Sequence, residues 1–150
     1  MKMSFNSVIP PFLLIIAVGL TLFPLLNPGL PDVHDPTSAY RLATLVETIK
    51  DGQFPAAWNN SLNYGFGYPL HLYYAPLFSY LSALNYLIVH NHEVAIKLTI
   101  GLVSLVGSFG IYCSTLSIGR AVALLSSLAF TFLPYRASAI YVSGSYAEFL

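Results

Sequence analysis

The chain has little charge and little sulfur. Only 8% of its 150 residues are Asp, Glu, Lys or Arg, against roughly 25% in ordinary soluble domains. Six basic residues balance six acidic ones. The net charge therefore offers no pull toward nucleic acid or an anionic lipid surface, and no nucleic-acid partner is expected. The single cysteine, Cys113, lies inside an apolar run. It excludes an internal disulfide and says nothing about redox compartment. There is no internal repeat and no low-complexity tail. His90 and His92 lack Cys or acid partners at zinc-like spacing, apart from the adjacent Glu93, and read as loop residues.

What the chain has instead is apolar surface. Hydrophobic residues make up 56% of it, with eleven Tyr and ten Phe, a profile that suits membrane–water interfaces. Residues 8–26 carry no charge and approach the roughly 20 residues that span a bilayer. Lys2 precedes them as in a signal peptide, but no small-x-small cleavage site follows, so an uncleaved first helix is expected. Pro10 and Pro11 belong near its start, where a missing N–H costs little. Residues 98–119 are again uncharged and long enough to span. Residues 121–135 are short unless Arg120 snorkels or the helix runs on into Ala137–Val142. Gly119, Ala123 and Ser127 recur every four residues, a small-residue face for close helix packing.

Between these runs lies the polar part. In TSAYRLATLVETIKDG, Leu42, Leu45, Val46 and Ile49 fall at i, i+3, i+4 and i+7, predicting an amphipathic helix. Thr37 or Ser38 can cap its start and Gly52 ends it. It is too short and too charged to span, so it should lie at the interface. Residues 69–89 are uncharged but crowded with Tyr and Phe, which favour the headgroup level. The expected fold is an all-α integral membrane protein. It has about three transmembrane helices (roughly 8–26, 97–117 and 119–135) and interfacial helices at 37–51 and 69–89. Four spans, with 69–89 crossing, is the alternative. Lys2 suggests a cytoplasmic N-terminus in a multi-pass cell-membrane protein, with residues 27–94 on the non-cytoplasmic side. If 69–89 is interfacial, Arg120 falls in the cytoplasm and Glu148 returns to the face that carries Asp35.

Four groups can carry chemistry. His34-Asp35 follows the first span; an imidazole beside a carboxylate can bind a divalent cation or act as a base, although a solvated loop pair is the commoner role. Arg41 can clamp a phosphate or be a solvated helix charge beside Glu47 or Lys50. The run from Trp58 to Pro76 includes Tyr64, Tyr68, His71, Tyr73 and Tyr74. Its glycines allow close approach and its rings can stack on sugar or lipid. An interfacial aromatic belt accounts for the rings but less well for the Gly-Phe-Gly spacing. Last, LPYR places Arg136 at the end of the last span, and Glu148 can face Asp35.

These residues, in the order HD-x5-R, G-x2-P-x2-W, YGFGYPLHLYYAPLFSYL, LPYR and Y-x6-E, resemble a membrane family. It is the one described as "6-pyruvoyl-tetrahydropterin synthase-related domain, membrane protein", which looks like a branch of the GT-C glycosyltransferases. The resemblance covers about His34 to Leu150. It implies a transferase that takes sugar from a polyprenyl-phosphate donor. Asp35 and Glu148 would be the catalytic acids and the ligands of a divalent cation such as Mg or Mn. His34, Arg41, Trp58, Tyr64, Tyr68, His71, Tyr73, Tyr74 and Arg136 would line the substrate site, and the lipid bilayer and the lipid-linked sugar would be the partners. The family often has Arg where this chain has Ala57, and again where it has Ser143 and Gly144, which removes two phosphate contacts. Family members run to several hundred residues, so residues 1–150 would form one N-terminal portion of a larger multi-span domain, inactive alone. The rival reading is a non-enzymatic membrane module that binds lipid or a partner through an aromatic interfacial platform.

Overall fold

The computed structural model describes residues 5–148, with side chains from Pro10 onward; Lys2 lies outside the described residues. Their regular structure is helical, with no strand among the described residues beyond one isolated bridge between Asn59 and Tyr68. Helix α1 covers Phe5–Leu22 and continues as a 3-10 turn over Phe23–Leu26; α2 covers Ser38–Lys50. Then come α3 (Leu70–Tyr73), α4 (Leu77–Val89), α5 (His92–Thr115), α6 (Arg120–Thr131) and α7 (Pro134–Ser138), the last running into a π-helical turn at Ala139–Ser143.

Among the described residues two stretches are long and apolar enough to cross a membrane, His92–Thr115 and Arg120–Ser143. The second corrects the expected end near residue 135. Pro134 opens α7 at a position where its missing N–H is no loss, so the helical path resumes rather than stops. Helix α4, with 13 residues, is only about 20 Å long and falls short of a roughly 30 Å hydrocarbon layer. The stretch 69–89 is not one helix. Tyr74 is extended and Pro76 restarts the chain, so it breaks into α3 and α4.

Helix α5 is the hub, packed by α1, α2, α4 and α6. Its buried positions Ile96, Ile100, Ser104, Ser108 and Tyr112 step by four residues along one face. Facing them on α6 is the stripe Ala123, Ser127 and Thr131, all buried. The small-residue face is therefore present but sits one step later than Gly119, which only leads into the helix. Small side chains let the backbones approach, and the Ser108 and Thr131 hydroxyls meet at 2.8 Å across the seam. Asn85 Nδ2 donates to Thr99 Oγ1 at 2.9 Å and ties α4 to α5 in the same way.

The predicted stripe of α2 is what docks it: Leu42, Leu45 and Val46 are buried against Phe78, Ile96, Ile100 and Ile140. Gly52, at φ +88°, ends the helix as expected. Many large apolar side chains point outward, among them Phe12, Leu20, Leu87, Leu102, Val106 and Leu125. Such a belt is unusual on a soluble surface and suits hydrocarbon.

Candidate functional site

The loop after α1 is fixed at both ends. Glu93 Oε1 accepts from the Gly29 N–H at 2.8 Å and from Lys97 Nζ at 2.6 Å, and Lys97 also donates to the Asn27 carbonyl at 2.7 Å. At the other end, the His34 N–H donates to the Val142 carbonyl at 2.9 Å and the Asp35 N–H to the Ser143 carbonyl at 3.0 Å. The acceptors are the last two carbonyls of the π-helical turn, which have no partner further along the helix. Gly144 makes this approach possible. It sits at φ +71°, and a Cβ there would stand 2.7 Å from the Asp35 carbonyl oxygen and 2.6 Å from Val33 Cγ2. The turn is itself anchored, since Tyr141 Oη donates to the Thr21 carbonyl at 2.7 Å.

The Asp35 carboxylate accepts three hydrogen bonds. Oδ1 accepts from the Thr37 hydroxyl at 2.5 Å and the Thr37 N–H at 3.2 Å, and Oδ2 accepts from Arg41 Nη2 at 2.8 Å. This is an Asx-turn. It also corrects the expected cap: Thr37 does precede α2, but its hydroxyl serves Asp35 and makes no capping bond. The Thr37 hydroxyl bond, partly opposed by burial and reinforced by the Thr37 N–H and Arg41, holds the Asp35 carboxyl below its ordinary value. Arg41 is thus no solvated helix charge. Its guanidinium lies between Asp35 and the face of Tyr74, 4.1 Å from the ring centroid.

Behind Arg41 sits His71, which is buried, with Nε2 3.5 Å from the Thr44 hydroxyl. Burial first, and the Arg41 charge second, hold its imidazole below the usual value, so it stays neutral near pH 7. His34 is exposed beside a shallow hollow of about 340 Å³ shared with Asp32, Val33, Tyr141 and Val142. Glu148 is exposed and its carboxylate meets Tyr135 Oη at a long 3.4 Å. Arg136 does not end the last helix. It is buried, stacks 4.2 Å over the Phe130 ring, and lines a cavity of about 140 Å³ with Thr21, Ser104, Thr131 and Tyr141. Gly107 leaves room for that stack, since a Cβ there would meet Phe130 at 2.9 Å.

The aromatic run forms a second group. The Asn59–Tyr68 bridge closes a loop in which Asn63, Tyr64, Gly65 and Gly67 all have positive φ. Gly67 is required there: a Cβ would lie 2.2 Å from Trp58 Nε1, so the indole rests on the glycine backbone. The Gly-Phe-Gly spacing thus seats Trp58. Tyr64 is wholly exposed at the tip; Tyr68 and Tyr73 pair with centroids 6.2 Å apart.

Sequence reasoning missed Asn59. It is 2% exposed, and its Nδ2 reaches the Thr44 carbonyl at 3.1 Å, Thr48 Oγ1 at 3.0 Å and Glu47 Oε2 at 3.1 Å. It pins the aromatic loop to α2 and, with Ser61, holds the Glu47 carboxyl low. The sequence signal for Thr37 was the Asp-x-Thr spacing of an Asx-turn; for Asn59 there was none.

Among the described residues no group of three or more His, Cys, Asp or Glu side chains is close enough to hold a metal ion. Arg41 is already the counter-ion of Asp35, and its positive charge opposes a second cation there, so the residues present do not fit a divalent-cation site. No protein-family model, curated protein or solved structure matches this chain.

Proposed function

We propose that the chain supplies the acidic, acceptor-side part of a GT-C-like membrane glycosyltransferase with a polyprenyl-phosphate sugar donor, working at the non-cytoplasmic face. In this reading α1, α5 and the α6–α7 path cross the bilayer, while α2, α3, α4 and their loops lie on the outer surface. The reading rests on the pair of backbone hydrogen bonds that ties Asp35 to the π turn. That tether puts the Asp35 loop at the same end of the bundle as the segment carrying Glu148.

Transfer forms a bond from an acceptor oxygen to the anomeric carbon and breaks the bond to the lipid phosphate. The acceptor hydroxyl proton must go to a carboxylate. Asp35, held ionised by Thr37 and Arg41, is a weak base and a strong fixed acceptor; it orients the acceptor hydroxyl and Arg41. Glu148, exposed and held only by a long contact, is the carboxylate with room to take the proton. Arg41 bonds Asp35 through Nη2 alone, which leaves N–H groups to meet the donor phosphate.

The test is binding of a polyprenyl-phosphate hexose to the whole chain in nanodiscs. Arg41→Met should weaken it about tenfold, the worth of a charge-assisted hydrogen bond. Unchanged binding would sink the reading. Full exposure of Tyr64 favours the second reading, a lipid-binding module. It predicts that sugar-free polyprenyl phosphate binds as well as the glycosylated donor.

A further inference from the structure

A second site lies away from Asp35, on the opposite flank of α2. Helices α2 and α4 diverge around a groove of about 450 Å³, within the range of small-molecule sites. Its walls are apolar: Val46 and Ile49 from α2, Ala83 and Leu87 from α4, and Phe54 standing edge-on to Tyr80 at 5.9 Å. The Tyr80 hydroxyl, the one polar group on those walls, is turned to accept the Ala56 N–H at 2.7 Å.

Val46 and Lys50 form the rim, and across them the groove meets a hollow of about 530 Å³ with a mixed polar and apolar lining. That hollow is lined by Tyr40, Glu47, Asp51, Ser61, Tyr86 and His92, with the last two rings stacked at 4.4 Å. Glu47 is already spent on Asn59 and Ser61. Lys50 and Asp51 are exposed, and neither side chain makes a hydrogen bond or ion pair with another described residue. An apolar trough therefore opens onto a mixed basin whose lip carries one uncommitted cation and one uncommitted anion side by side.

We infer that this is a lipid site: the groove takes one acyl chain and the basin takes a phosphoethanolamine head. Charge complementarity selects a zwitterionic head, and the N–H groups that an ammonium can donate to Asp51 select ethanolamine over choline. The phosphate meets Lys50 and the ammonium meets Asp51, whereas a purely anionic head would satisfy Lys50 and face Asp51 and Glu47 in repulsion. Asp35, Arg41, Tyr74 and Arg136 line neither hollow, so the site goes beyond the transferase reading and stands or falls apart from it.

Native mass spectrometry of the whole chain, released from nanodiscs with equal phosphatidylethanolamine and phosphatidylglycerol, tests it. The expected result is one retained phosphatidylethanolamine per chain. Asp51→Asn should lower its advantage over phosphatidylglycerol about tenfold, the worth of one charge-assisted contact. Leu87→Gln should lower retention of both lipids; Leu87 is more than half exposed, so the core is untouched. Equal retention of the two lipids by the unaltered chain overturns the head assignment, and retention unaffected by Leu87→Gln overturns the groove.

Discussion

Gly144→Ala is the most informative single substitution. The residue sits at φ +71°, and its Cβ position lies 2.7 Å from the Asp35 carbonyl oxygen and 2.6 Å from Val33 Cγ2. Alanine would be strained by its backbone and would also push the incoming loop away. The left-handed backbone costs about 1 kcal/mol for a residue with a Cβ. Separating the strands of chain breaks the His34 and Asp35 amide bonds of 2.9 and 3.0 Å, at about 1 kcal/mol each. The tether should therefore lose about 3 kcal/mol, which speeds amide exchange at His34 and Asp35 by roughly 100-fold. Hydrogen–deuterium exchange read by mass spectrometry on a peptide covering 30–36 measures it. Helix α5 serves as the internal control, because its amides should not change. Exchange at His34 and Asp35 equal to that of the unaltered chain would refute the reasoning.

Gly67→Ala should displace the Trp58 indole from the glycine it rests on. Trp58 is the only tryptophan, so a shift in tryptophan emission reads this directly, and an unmoved spectrum contradicts it. Ser127→Leu puts a large side chain into a fully buried seam between α5 and α6 and should lower stability by about 1–3 kcal/mol, seen as a lower Tm in detergent. The Asp35 carboxyl is held below its ordinary 3.8. A depressed folded value gives stability that is present above 3.8 and lost as pH falls through the folded value. Protection of the Thr37 amide, corrected for intrinsic exchange, should thus stay level from pH 7 to about pH 5 and drop only in stronger acid. Loss between pH 7 and pH 5 would show that Asp35 is not held as described.

Much of the helical framework was legible because period and length carry it. The Leu42–Leu45–Val46 stripe marks a helix docked on one side, and that face is buried. The run that starts at Leu98 is uncharged and long, and most of it lies in the single helix α5. Boundaries were less legible. A small-residue face can be read from spacing, but which turn of it meets the partner depends on packing, so it begins at Ala123 rather than Gly119. Proline punctuation misled in both directions: Pro76 splits 69–89 in two, whereas Pro134 starts a new turn and carries the helix on to Ser143. His92 opens α5 and stacks on Tyr86, which no spacing rule predicts.

At the site, the candidates were legible one by one but their partners were not. Asp35 and Arg41 stand six apart, outside the usual helical pairing distances, because Asp35 precedes the helix and the Asx-turn folds it back over the first turn. The π turn has no sequence signature, yet it supplies both carbonyls that hold the loop. His71 stands in the sequence among the residues expected to line the substrate site, whereas the fold turns it inward against Thr44.

The account turns on the Asp35 loop and the Glu148 segment sharing one membrane face. Single cysteines at His34 and Ser145, with Cys113 replaced by serine, can be probed in intact cells with a membrane-impermeant maleimide. Labelling of both from outside is the predicted result. Labelling of one from outside and the other only after the membrane is opened would contradict it.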